Sequence, residues 1–143
     1  AETLGEDYYP FEAIGLDAAL IVTLYGTQLT GNPLIDPETN EILWSQDDLT
    51  RAIEFYQTLV DNHVVPSWPD HAAAGNIPLH ENPRWTNGQI AGTYQWDSTY
   101  FKISDPLAEG QELVYAGLLG MDGQQTPGIY RKASMVFAIS ANS

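Results

Sequence analysis

Apolar residues recur every three or four positions through residues 49–60. Leu49, Ala52, Ile53, Tyr56, Leu59 and Val60 form one stripe, and Thr50, Glu54, Gln57 and Asp61 fall opposite it. That spacing predicts a helix packed by one face on a core. Ser45 and Asp48 resemble a capping box in which Asp replaces the usual Glu or Gln, and the helix is expected to end near Asn62. A second helix is expected over residues 17–30, with Leu20, Ile21, Leu24 and Tyr25 at helical spacing. Asp17 is its expected N-cap, and Gly31 stands where a left-handed residue closes a helix. The β-branched run Ile21, Val22, Thr23 keeps a strand open for the same segment.

Residues 33–36 and 41–44 flank the turn-forming run Pro37, Glu38, Thr39, Asn40, which predicts a short hairpin. Asn82-Pro83 is a good start for a short helix, and Asn87-Gly88 a good end. Strands are expected over residues 89–96, 113–116 and 134–140. Residues 66–77 show no period and read as loop. So do residues 117–128, which hold four of the twelve glycines. The whole reads as a single α/β domain over residues 1–143, a small sheet flanked by helices.

The length of 143 residues suits one domain with a sizeable core, and the 43% hydrophobic and 11% aromatic content is that of a folded chain. Nineteen acidic residues against five basic ones give a formal charge of −14. Arg51, Arg84, Lys102, Arg131 and Lys132 are too few to neutralise a phosphate backbone, so nucleic acid is excluded as a partner, and an anionic membrane surface is disfavoured likewise. Neutral ligands are unaffected. There is no cysteine, which removes disulfides and thiolate chemistry. No apolar run approaches the roughly 20 residues of a membrane span. The chain opens on Ala-Glu-Thr without a leader and stops three residues after the last expected strand. It therefore reads as a piece of a longer protein, with any export signal or lipid anchor outside it.

No nucleophile elbow or phosphate loop is present, and Gly117, Gly120 and Gly123 lack dinucleotide-binding spacing. His63, His71 and His80 lack close metal-ligand spacing and read as ordinary surface residues. With nineteen carboxylates, no pair stands out as a glycosidase acid and base. Asp36, Glu38, Asn40, the Ile42 carbonyl and Asp47 fall at positions 1, 3, 5, 7 and 12 of an EF-hand-like calcium loop. Glu41 occupies the place of its turn glycine and position 12 is the shorter Asp; a hairpin followed by a helix cap accounts for the same residues, so no cofactor is expected. The aromatics say more. Tyr8-Tyr9-Pro10-Phe11 and Tyr94-Gln95-Trp96-Asp97 set rings beside polar groups where segments end. Sugars pack flat C–H faces on such rings while their hydroxyls need carboxylate or amide partners. Trp96 and Tyr9 each read as either ligand contact or core.

Tyr9-Pro10-Phe11 followed by the run from Gln28 to Asn32 resembles the start of the C-terminal lobe of bacterial carbohydrate ABC-transporter binding proteins, the maltose/maltodextrin-binding-protein-like family. The helix over residues 48–60 with its trailing Asn62-His63-Val64-Val65-Pro66 is similar to another stretch of that family. So are the run from Trp85 to Gly92 and the expected strand at residues 134–140, in the same order. The resemblance implies two α/β lobes of the type II periplasmic-binding-protein fold, with sugar held between them and only the second lobe here. The first lobe and the C-terminal helices would be missing. It implies capture of a mono- or oligosaccharide and delivery to permease subunits at the extracellular membrane face or in the periplasm, without catalysis. Membrane contact would come only through a lipid anchor or the permease. Trp96 and Tyr9 map to aromatics that stack on sugar rings, Asp97 to a polar cleft position, and Tyr130 and Arg131 to positions that reach the cleft. The alternative readings are a carbohydrate-binding module of a secreted glycosidase and a calcium-stabilised adhesion module.

Overall fold

The computed structural model describes residues 5–128. Tyr130, Arg131 and the expected strand at residues 134–140 lie outside them. Helix α1 spans Leu16–Thr30 and buries Ala18, Ile21, Leu24 and Gln28, so the β-branched run folds as helix. Gly31 closes it at φ 77°, a conformation open to glycine without strain, and donates its N–H to Thr27. The expected cap at Asp17 is not formed. Gly15 takes the N-cap position with no side-chain bond, and Asp17 falls in the first turn, where its carboxylate accepts a 2.6 Å hydrogen bond from Gln95 Nε2.

Helix α2 spans Gln46–Asp61 and opens on the expected capping box: Ser45 Oγ accepts from the Asp48 N–H at 3.1 Å, and Asp48 Oδ2 accepts from the Ser45 N–H at 3.0 Å. Asp serves in place of Glu here. The buried face of α2 is turned from the expected stripe. Ala52, Phe55, Tyr56, Leu59 and Val60 face inward, while Leu49 and Ile53 stay exposed. The reason is α1, whose Tyr25 stacks on Phe55 with ring centroids 4.0 Å apart and planes 4° apart. The hairpin between the helices closes through an antiparallel bridge of Ile35 with Ile42, with Asn40 at φ 60° in its turn. Trp44 leaves it to lie over Gly26, where a side chain would collide with the indole, and its Nε1–H donates to the Asn32 carbonyl.

Helix α3, Trp68–Ala73, lies within the expected loop; Ser67 caps it by accepting from the Asp70 N–H. Six residues are too few to show a period. Helix α4, Pro83–Thr86, follows the expected Asn82 cap, and helix α5 spans Tyr100–Ser104. Short 3₁₀ turns cover Leu79–Glu81 and Asp97–Thr99.

The expected sheet shrinks to isolated bridges among the described residues. Tyr9 pairs with Ile90 and Glu12 with Thr93, both parallel. The Tyr9 N–H donates to Gln89, the Ala91 N–H to Tyr9 and the Glu12 N–H to Gly92, while the Phe11 N–H turns the other way to Val64. The strand expected over residues 89–96 is therefore only a short extended segment. Residues 113–116 make no strand either: the Leu113 carbonyl accepts from Tyr100 Oη instead of a ladder partner. Fold class is thus α/β in the sense of a short parallel extended pair among helices, with no continuous sheet among the described residues. One apolar cluster joins Tyr9, Trp85, Ile90 and Ile103; a second joins Ala13, Ile21 and Val65. Residues 117–128 are loop, as expected. Gln28 holds them through Nε2, which donates to the Leu119 and Pro127 carbonyls, and through its own carbonyl, which accepts from the Gln125 N–H. No helix among the described residues is long and apolar enough to cross a membrane.

Candidate ligand site at the ends of the parallel pair

The two extended segments run in the same direction, so their carboxyl ends, at Glu12 to Asp17 and Thr93 to Asp97, open on one edge. That is where ligands bind in parallel α/β arrangements. Two cavities meet there. The smaller, about 560 Å³, is lined by Glu12 and Asp17 from the first segment and Thr93 and Gln95 from the second, facing Trp68 and His71 of α3.

The Glu12 side chain is only 7% exposed. Its Oε2 has no hydrogen-bond partner among the described residues, and its Oε1 lies 3.9 Å from His71 Nδ1. Burial, reinforced by the charge of Asp17 and opposed by Arg84, pushes the carboxyl up to about 7. Burial also raises Asp17, and the bond from Gln95 works against that rise. Trp68 is 56% exposed and meets the His71 ring edge-on. Carboxyl, amide and hydroxyl groups beside a flat indole are the complement of a polyhydroxylated ring.

The larger cavity, a groove of about 830 Å³, is lined by Tyr94, Trp96, Asp97, Tyr100 and Tyr115 with apolar residues between them. Tyr115 is exposed and stacks on Tyr100 at 5.3 Å. Trp96 is half-buried in the groove wall, and the turn after it is tied down by Thr99, whose N–H and Oγ1–H both donate to the Trp96 carbonyl. Asp97 is exposed, with Oδ1 accepting from the Ser98 N–H.

Of the residues singled out from sequence, Trp96 and Asp97 are brought together on this groove. Tyr9 is not with them: it is 6% exposed, packed in the core with Trp85 and Ile90 and stacked on His63 at 4.3 Å. Its ring serves packing, because the parallel bridge turns it inward. Tyr130 and Arg131 lie outside the described residues. The histidines also depart from the surface reading, since His63 covers Tyr9 and His71 stands over Glu12. The calcium-type spacing folds as a turn in which Asp36 Oδ1 accepts from the Glu38 and Thr39 N–H groups. Sequence reasoning missed Glu12, Asp17, Gln95, Trp68 and His71. The signal for Glu12 was a lone carboxylate inside the apolar run from Tyr8 to Ile14.

The chain matches a periplasmic oligogalacturonide binding protein from Yersinia enterocolitica, solved in complex with saturated digalacturonic acid, with a TM-score of 0.82 and 35% identity over 89% of this chain and 31% of that one. A periplasmic solute binding protein from Pectobacterium atrosepticum matches with a TM-score of 0.78 and 30% identity, over 89% of this chain and 32% of that one. The chain has the fold of one part of a periplasmic solute-binding protein. It spans about a third of the length of the solute-binding proteins it matches. A de novo designed cysteine esterase also matches, with a TM-score of 0.78 and 33% identity over 89% of this chain and 31% of that one. No protein-family model matches the chain, and no curated protein does.

Proposed function

We propose that this chain is the sugar-contacting part of a carbohydrate-binding subunit of an ABC transporter. The subunit captures a mono- or oligosaccharide in the periplasm or at the extracellular membrane face and hands it to the permease unchanged. The observation that carries the reading is the convergence of Glu12, Asp17, Gln95 and Trp68 with Trp96 and Asp97 on the carboxyl edge of the parallel pair. Rings supply stacking faces, and the polar groups supply partners for hydroxyls. The match to a protein solved with a digalacturonic acid supports a saccharide ligand. In this reading Trp96 stacks on a sugar ring and Asp97 accepts from its hydroxyls. Tyr130 and Arg131, just beyond the groove-lining loop in sequence, supply further contacts. No cofactor or metal takes part. Calorimetric screening of the full-length protein against neutral and acidic mono- and oligosaccharides tests the reading. Binding is expected, with compaction in solution scattering as the lobes close. Failure of every saccharide to bind, or hydrolysis of one that binds, would overturn it.

A further inference from the structure

The aromatic rings at the carboxyl edge stand in two groups. Trp68 and His71 lie three residues apart on α3, so they share a face of that helix, and both line the polar cavity. Trp68 stays 56% exposed although it meets the His71 ring at 87°. Its open indole surface sits in a concavity with half-buried Asp17, which Gln95 Nε2 holds in place, and with exposed Lys102 of α5. A hydroxyl donates to the first and accepts from the second, so this corner complements a polyhydroxylated ring by itself. The second group is Trp96, Tyr100 and Tyr115 in the groove. Thr93 and Gln95 line both cavities while Tyr94 and Trp96 line the groove, the alternation of an extended segment. Residues 93–96 are thus a ridge with a ring-bearing hollow on each side.

We propose that the ligand is an oligosaccharide laid across this ridge, with one sugar unit over Trp68 in the polar cavity and another at Trp96 in the groove. The proposal rests on the carbohydrate reading above and adds a subsite, its stacking residue and a minimum ligand length of two units. Volume supports the span. The cavities measure about 560 and 830 Å³. Each alone falls in the range of roughly 300–1,000 Å³ that holds an entire small ligand. A monosaccharide fills part of one and leaves the rings of the other in water. A chain of two or more units places a C–H face on each group of rings. Joining the units makes the second contact intramolecular, so affinity climbs with length without a second loss of translational freedom. Trp68 is the residue that reads length, because it carries the open indole face on the polar side of the ridge.

The test is titration calorimetry on the full-length protein with two homologous series, glucose to maltotriose and galacturonic acid to trigalacturonic acid. In the series that binds, the trisaccharide is expected to bind at least about tenfold more tightly than the monosaccharide. Trp68→Ala should collapse that ratio to within about threefold, and Trp68→Phe, which keeps a flat ring, should retain most of it. The wild-type ratio needs no variant, and Trp68→Gln removes the ring with less loss of volume if Trp68→Ala folds poorly. Equal affinity along the wild-type series, or a ratio that survives removal of the Trp68 ring, would overturn the two-unit span while leaving saccharide binding intact. Binding by no member of either series would overturn the span as well. The parent reading falls only if every saccharide of the wider screen also fails to bind.

Discussion

The two cavities at the edge of the parallel pair share Thr93 and Gln95 yet differ in what lines them: charged and polar groups are dense in the smaller one, apolar and aromatic residues in the groove. The polar one gathers titratable groups around a buried carboxyl, so its behaviour depends on pH. The groove beside it exposes aromatic and aliphatic area, so a molecule lying in it would be held by surface removed from water. A saccharide has both characters, hydroxyl edges and C–H faces. Under the proposed saccharide reading, the neighbouring cavities divide those two tasks between two groups of residues, each separable by mutation.

Four changes break or sharpen that contrast. The largest effect is expected where the cavities share a support. Trp85 is 2% exposed, donates its Nε1–H to the Ile103 carbonyl, and belongs to a cluster against which Leu79 of the polar cavity and Leu113 of the groove both pack. Trp85→Ala should cost about 3–5 kcal/mol in denaturant unfolding and impair both cavities together. Intact binding by a destabilised variant would show that the cavities do not depend on this core.

Glu12→Gln comes next and acts on the polar cavity alone. The folded-state carboxyl is raised from 4.5 to about 7, so the stability tied to its protonated form is present at acid pH and is lost as pH rises through 7. The glutamine variant should match wild type near pH 4 and exceed it above pH 7 by about 2–3 kcal/mol in the absence of ligand. Melting curves across that pH range check this, and a constant difference between the two proteins would refute it.

Trp96→Ala acts on the groove. Loss of an aromatic anchor should weaken saccharide binding by about 1–3 kcal/mol. Because the ring is half-buried, the stability loss should stay below that of Trp85→Ala. Unchanged affinity with a large stability loss would make Trp96 a packing residue. The smallest effect is a control: Ser45→Ala removes the capping box of α2 and should cost about 1 kcal/mol, leaving binding per folded molecule as it was.

What the sequence made legible follows the range of the forces involved. The capping box at Ser45, the glycine stop at Gly31, the hairpin turn at Asn40 and the Asn82-Pro83 start are signals held within a few residues, and each appears where expected. Tyr9 and Glu12 owe their positions to a partner segment some eighty residues away, and no local pattern encodes that pairing. The same pairing consumed the expected strand at residues 89–96, because Phe11 turns its N–H toward Val64 and, among the described residues, no third segment extends the ladder. Trp96 was legible as an aromatic at a segment's end. Trp68 was not, because helix α3 is too short to announce itself.

Gln28 has a consequence for the order of assembly. It joins α1 to carbonyls 91 and 99 residues further along the chain, across the entropy of a very large closed loop. Helices α1 and α2 meet over short sequence distances and can dock early, whereas the segment carrying Leu118 and Leu119 reaches Gln28 only when most of the chain is in place. That wall of the groove is thus expected to form after the α1–α2 pair and, with few buried contacts behind its hydrogen bonds, to open more readily than that pair. The groove is consequently the softer half of the edge, and a molecule filling it would stiffen it.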